Sequence, residues 1–275
     1  MVCCGPFTVN NELSYEALKD FIQAAKRDQP HVLLLCGPFV SQNHEDVSSG
    51  DLRYRDPTTG HLKFMDYEGL FKEIMNYIWQ GLGPESKTQV VIIPSTNEII
   101  HTYPLPQPAM TANFGKLQVL RATNPAFIQL NDVSVGVINT DVIKDMCLNT
   151  CIKNPPNQEA KPKIDLVLQS MLQQRSFYPL YPGSPNTPIE WDQWNALAMP
   201  ETPDILIAPS DLMLFAKNIE GCICVNPGTL YKGAVAGNYA SITIDPLFLS
   251  EDMKQASGLL SNRASDRIRV DIVNI

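Results

Sequence analysis

Three short apolar runs in the first third of the chain each stop at a proline turn. They run from Val2 to Cys4, His31 to Cys36 and Gln89 to Ile93, and end in Gly5-Pro6, Gly37-Pro38 and Pro94-Ser95. The second has no polar residue after His31, as expected of a strand covered on both faces. Between these runs the apolar spacing changes to that of a helix. Leu18, Phe21, Ile22 and Ala25 share one face, with Ser14 as the expected N-cap, and Leu70, Phe71, Ile74 and Ile78 share another within 67–79. Strand and helix thus alternate through residue 93, which specifies an α/β sheet.

The remainder is less regular. Residues 41–63 are polar, with Gly50, Asp56-Pro57 and Gly60, and read as a surface loop. Strand candidates follow at 117–121, 127–130 and 134–139, then a helix starting near Asp141. A polar linker at 154–163 leads to a helix on Ile164, Leu166, Val167, Met171 and Leu172. Pro179, Pro182, Pro185, Pro188 and Gly183 make the next stretch irregular. Further strands are expected at 204–208, 222–225, 239–244 and 267–273, the last two with alternating polarity. The pattern describes one domain over 1–275. Strand-helix alternation builds a first sheet, shorter strands of the C-terminal half build a second, and helices cover the outside. The abrupt opening strand suggests a piece of a longer protein.

Composition narrows the function. Apolar residues make up 44% and charged residues 18%, enough for a sizeable core, and 21 cationic against 29 anionic side chains leave −8. Such a chain repels phosphate backbones at long range, so direct DNA binding by it alone should be weak. The seven cysteines form no disulfide framework and no zinc spacing. Cys147 and Cys151 could share a helix face, but two thiols do not close a zinc site. No stretch reaches the roughly 18 apolar residues of a membrane span. Ser95 and Ser210 fall at strand ends without a Gly-x-Ser-x-Gly frame, and no glycine-rich phosphate loop is present. The four histidines read as surface or hydrogen-bonded residues, and the acidic loop around His44 and His61 lacks the order of a calcium loop.

In α/β sheets function gathers at the carboxyl ends of the strands. Those ends here run Gly5-Pro6-Phe7-Thr8, Gly37-Pro38-Phe39-Val40-Ser41, Pro94-Ser95-Thr96-Asn97-Glu98, Asn139-Thr140-Asp141, Pro209-Ser210-Asp211-Leu212 and Asn226-Pro227-Gly228. This ordered set resembles the calcineurin-like metallophosphoesterases, a fold of two sheets in a β-sandwich flanked by helices. The resemblance implies two metal ions held by Asp, Asn and His at these turns. In this chain Pro38 and Ser41 stand at the aspartate positions, Thr96 at the asparagine, Asn97 at the catalytic histidine, and Ser210 and Leu212 at the paired histidines. The metal site is therefore expected to be degenerate, with no cofactor and no catalysis. The alternative is a divergent metallophosphoesterase with substitute ligands.

A closer resemblance is to the B subunits of the replicative DNA polymerases, above all their alpha-type branch. It rests on residues 4–8, 35–39, His101-x-Tyr103-Pro104, the run 174–182, and the segments 202–210 and 221–228. That family carries an N-terminal partner-binding domain and an OB fold ahead of the phosphoesterase part, and neither is expected within 1–275. The resemblance implies a nuclear, non-catalytic scaffold in initiation of DNA replication. It would grip the C-terminal zinc-binding region of the DNA polymerase alpha catalytic subunit and reach primase indirectly. Aromatic residues on proline-rich loops suit such a surface, and Tyr181, Trp191 and Trp194 are the candidates.

Overall fold

The computed structural model describes residues 1–8, 13–55, 59–149, 161–232, 235–247 and 263–275. The N-terminal half supplies β1 (Val2–Cys4), β2 (Leu13–Ser14), α1 (Glu16–Asp28), β3 (Val32–Cys36), α2 (Glu45–Ser49), β4 (Arg53–Arg55), β5 (Leu62–Phe64), α3 (Tyr67–Leu82), β6 (Gln89–Ile93), β7 (Val119–Arg121), β8 (Ala126–Leu130) and β9 (Val133–Val137). Then come α4 (Val142–Asn149), α5 (Lys163–Gln173), β10 (Ile205–Ile207), β11 (Phe215–Ile219), β12 (Cys222–Asn226), β13 (Tyr231–Lys232), β14 (Val235–Ala236), β15 (Asn238–Ile244) and β16 (Ile268–Asn274).

The first sheet has the order β16-β15-β1-β3-β6-β7 and the second β11-β12-β10-β9-β8. Both are mixed. In the first, β1, β3, β6 and β7 run parallel while β15 and β16 pair antiparallel. In the second, β9, β10 and β12 are parallel between antiparallel edges. Strand side chains alternate between faces, and here both faces are apolar. Val2, Cys4, Leu34, Cys36, Val91 and Ile93 meet Val133, Val135, Val137, Ile205, Ile207 and Val225 in a core between the sheets. The opposite face of the first sheet, with Cys3, Leu33, Leu35, Val90 and Ile92, packs under α1 and α3. Leu206 and Cys224 of the second sheet pack under α4 and α5. Four layers result: helices, sheet, sheet, helices.

Several expectations need correction. Ser14 does not cap α1: it lies in β2, and Tyr15 takes the cap position without a side-chain bond to the helix amides. Residues 41–63 are not one surface loop. They hold α2, the strand β4 and most of β5. The two strands form a small third sheet in the order β2-β4-β5, and Val47, Leu52 and Tyr54 reach the core under α1 and α3. The C-terminal strands β15 and β16 join the first sheet rather than the second. The region around Trp191 is more regular than its prolines suggest, since Trp191–Leu197 forms 3-10 turns. Cys151 and most of the expected linker lie outside the described residues. Of the other cysteines, Cys3, Cys4, Cys36, Cys222 and Cys224 are free and buried.

Candidate functional site

The parallel strands of both sheets end on the same side of the molecule, and their following loops enclose a cavity of about 330 Å³. Its walls come from Gly5, Pro6 and Thr8 after β1, Gly37, Pro38, Ser41 and His44 after β3, and Ser95, Thr96 and Asn97 after β6. The second sheet adds Asn139, Thr140 and Asp141 after β9, and Pro209, Ser210 and Asp211 after β10. Five of the six positions singled out in the sequence, Pro38, Ser41, Thr96, Asn97 and Ser210, therefore share one cavity. Leu212 does not line it: its side chain packs against the second helical core and borders a neighbouring hollow.

Local geometry explains why the loops converge. Gly5 lies so close to the second loop that a Cβ there would come 2.3 Å from the Pro38 carbonyl oxygen. Asn139, at the end of β9, donates through Nδ2 to the carbonyls of Gly37 (3.0 Å) and Pro94 (2.8 Å), tying the second sheet to two loops of the first. Asn124 holds Asn139 in turn: its Oδ1 accepts the Asn139 amide, and its Nδ2 donates to the Asn139 carbonyl. Asn226 works the same way within the second sheet, accepting the amides of Ser210 and Gly228. Ser41, Ser95 and Ser210 each accept an amide two residues on, the short side-chain turn that serine favours.

Glu98 is the buried acid of this assembly. It is fully enclosed, and its two oxygens accept the amides of Phe39 (2.6 Å) and Val40 (2.9 Å). Burial pushes its carboxyl up to about 7 against the opposing pull of those two amides. Sequence reasoning noticed Glu98 only as part of a loop. Asn139 likewise appeared only as part of a strand-end loop, while Asn124 and Gln107, which donates to the Ser95 carbonyl and accepts from Asn124, escaped it, because an asparagine or glutamine in a loop gives no periodic signal.

The donor set does not fit a two-metal centre. Such a centre needs carboxylates and imidazoles, whereas the cavity presents Pro38, Ser41, Thr96, Asn97 and Ser210. Its carboxylates are committed: Asp141 accepts the amides of Lys144 and Asp211, and Asp211 pairs with the Lys144 ammonium at 2.9 Å. His44, read in the sequence as a loop residue, is buried and caps α2, its Nδ1 accepting the Asp46 amide. Its Nε2 has no hydrogen-bond partner among the described residues. Among the described residues no three His, Cys, Asp or Glu side chains gather into a metal-holding group.

The aromatic loop lies apart from this cavity. Phe177 and Tyr178 are buried in the second helical core. Tyr181, Trp191 and Trp194 are exposed, the first two edge to face at 5.0 Å. His101 is buried too, and its Nε2 meets the Pro108 carbonyl at 2.9 Å.

The fold and this cavity define a class: a two-sheet α/β domain whose strand-end loops are fastened by amide side chains. The sequence matches the family described as the B subunit of DNA polymerases alpha and epsilon over residues 1–217, and the chain belongs to that family. Among its relatives, the mouse protein named as the B subunit of DNA polymerase alpha is 32% identical over 247 residues, which cover 88% of this chain and 39% of that one. Fission yeast and budding yeast proteins of the same name are each 29% identical, covering 100% and 89% of this chain and 46% and 39% of their own lengths. The chain thus spans less than half the length of these relatives.

Proposed function

We propose that this chain is the phosphoesterase-like part of a non-catalytic subunit of the DNA polymerase alpha–primase complex, acting in the nucleus at initiation of replication. On this reading the whole of 1–275 is one domain of calcineurin-like ancestry. The cavity at the strand ends is its former metal site, with Pro38, Ser41, Thr96, Asn97 and Ser210, and Leu212 beside it, as the vestigial positions. The observation that carries the reading is the lining of that cavity. Groups that ligate poorly or not at all stand where catalysis needs carboxylate and imidazole, while neighbouring side chains fasten backbone to backbone. A domain kept for its shape is used for its surface. The partner is the C-terminal zinc-binding region of the polymerase catalytic subunit, with primase reached through it, and Tyr181, Trp191 and Trp194 lie on the face that meets it.

Two measurements test this. Capture of the catalytic subunit's C-terminal region by the folded chain is expected, and its failure removes the scaffold role. Elemental analysis and phosphodiester hydrolysis assays test the other half. Substoichiometric manganese, iron and zinc are expected, with no chelator-sensitive hydrolysis. Pro38→Asp alone should restore neither, because one carboxylate leaves the other positions without ligands.

A further inference from the structure

From Ser176 to Pro203 the sequence carries Glu190, Asp192 and Glu201 and no lysine or arginine. The same stretch presents the exposed rings of Tyr181, Trp191 and Trp194, with Glu190 and Asp192 exposed on either side of Trp191. Aromatic faces attract guanidinium groups, and flanking carboxylates reinforce the attraction. The carboxylates also repel a phosphate backbone. The loop is also fastened from beneath. Asp145 of α4 accepts hydrogen bonds from the hydroxyls of Tyr178 and Thr187, each 2.8 Å, and the Tyr178 oxygen accepts the Ser184 amide. The backbone on either side of Ile189 is pinned to a second segment, with the Glu190 amide donating to the Leu105 carbonyl and the Leu105 amide to the Pro188 carbonyl. A loop backbone held this way loses little freedom on binding, which favours affinity.

We propose that this acidic, aromatic face docks an arginine-rich segment of another protein. The inference rests on the reading of this face as a protein interface and adds the chemistry of what binds there. The experiment titrates the chain with an arginine–glycine repeat peptide and follows tryptophan fluorescence. Lysine–glycine and glutamate–glycine peptides and a single-stranded oligonucleotide serve as comparison probes.

The arginine peptide is expected to bind saturably, more tightly than its lysine counterpart and more weakly as salt rises, and the glutamate peptide not at all. Glu190→Gln with Asp192→Asn should weaken binding roughly tenfold, and Trp194→Ala by a similar factor. These side chains are exposed, and an unchanged melting temperature verifies that each variant folds. Equal binding of the arginine and glutamate peptides, unchanged affinity in the charge variant, or tighter binding of the oligonucleotide would overturn the proposal. Capture of the catalytic subunit's C-terminal region separates the two readings. If wild type and charge variant capture it equally, the arginine docking fails and the polymerase role stands. If the peptide binds as expected and that region is not captured, the polymerase role fails and the docking chemistry stands.

Discussion

Glu98 concentrates at one residue what the strand-end loops do together. Its carboxyl ionises at about 7 in the folded chain, against 4.5 for an ordinary glutamate, because burial outweighs its two amide hydrogen bonds. The folded state therefore holds this proton more tightly than the unfolded state. Its contribution to stability is fully present below about pH 4.5 and is lost as pH rises to about 7, on the order of 2–3 kcal/mol across that window. Urea unfolding of wild type and Glu98→Gln at several pH values should show this component in the wild type alone. At every pH the variant turns an amide donor toward a backbone amide and should lose about 1–3 kcal/mol. A wild-type pH profile parallel to that of the variant would contradict the assignment. The residue scale is also where sequence is least informative. Pro38, Ser41, Thr96, Asn97 and Ser210 could be placed together because each lies in a loop that follows an apolar strand, at positions the phosphoesterase resemblance implies. The bonds by which Asn124, Asn139 and Gln107 hold those loops follow no period and emerge only when distant segments are brought together in space.

At the scale of elements, legibility followed burial. The strands β3, β6, β10 and β12 are apolar runs buried almost throughout, and the sequence placed all four to within a residue or two. The helices α1 and α3 were equally plain, since their buried residues recur at helical spacing. The strands β2, β4, β5 and β11 were missed. They are short or polar pieces: β2 pairs with a distant segment, Leu13 opposite Tyr54, and β11 forms a hairpin with β12 across Glu220-Gly221, a turn the apolar pattern does not mark. The proline loop is irregular, yet α4 fixes it through Asp145. Asp145→Ala should leave the buried hydroxyls of Tyr178 and Thr187 without their acceptor and cost about 2–4 kcal/mol. It should also speed limited proteolysis between Tyr178 and Pro188 more than elsewhere. Uniform protection of that loop in the variant would mean that packing of Phe177 and Leu180, rather than the Asp145 bonds, sets its order.

For the molecule as a whole, charge sets the relation to nucleic acid. Eight excess anions are spread over a fold whose strand-end cavity carries Asp141 and Asp211 against the single ammonium of Lys144. Its exposed aromatic loop carries Glu190, Asp192 and Glu201 and no lysine or arginine from Ser176 to Pro203. Stacking of bases on Tyr181, Trp191 or Trp194 would bring phosphates toward Glu190 and Asp192, and the long-range field opposes the approach before stacking can act. The isolated chain should therefore bind single- or double-stranded DNA with a dissociation constant weaker than about 100 μM near 0.15 M salt, the low end of non-specific affinity. Its affinity should also change little with salt, because few counterions are released where few phosphates are neutralised. Fluorescence anisotropy of a labelled oligonucleotide across a salt series measures both quantities. Micromolar binding with a steep negative salt slope would show a local basic surface strong enough to override the net charge, and would place DNA contact on this chain.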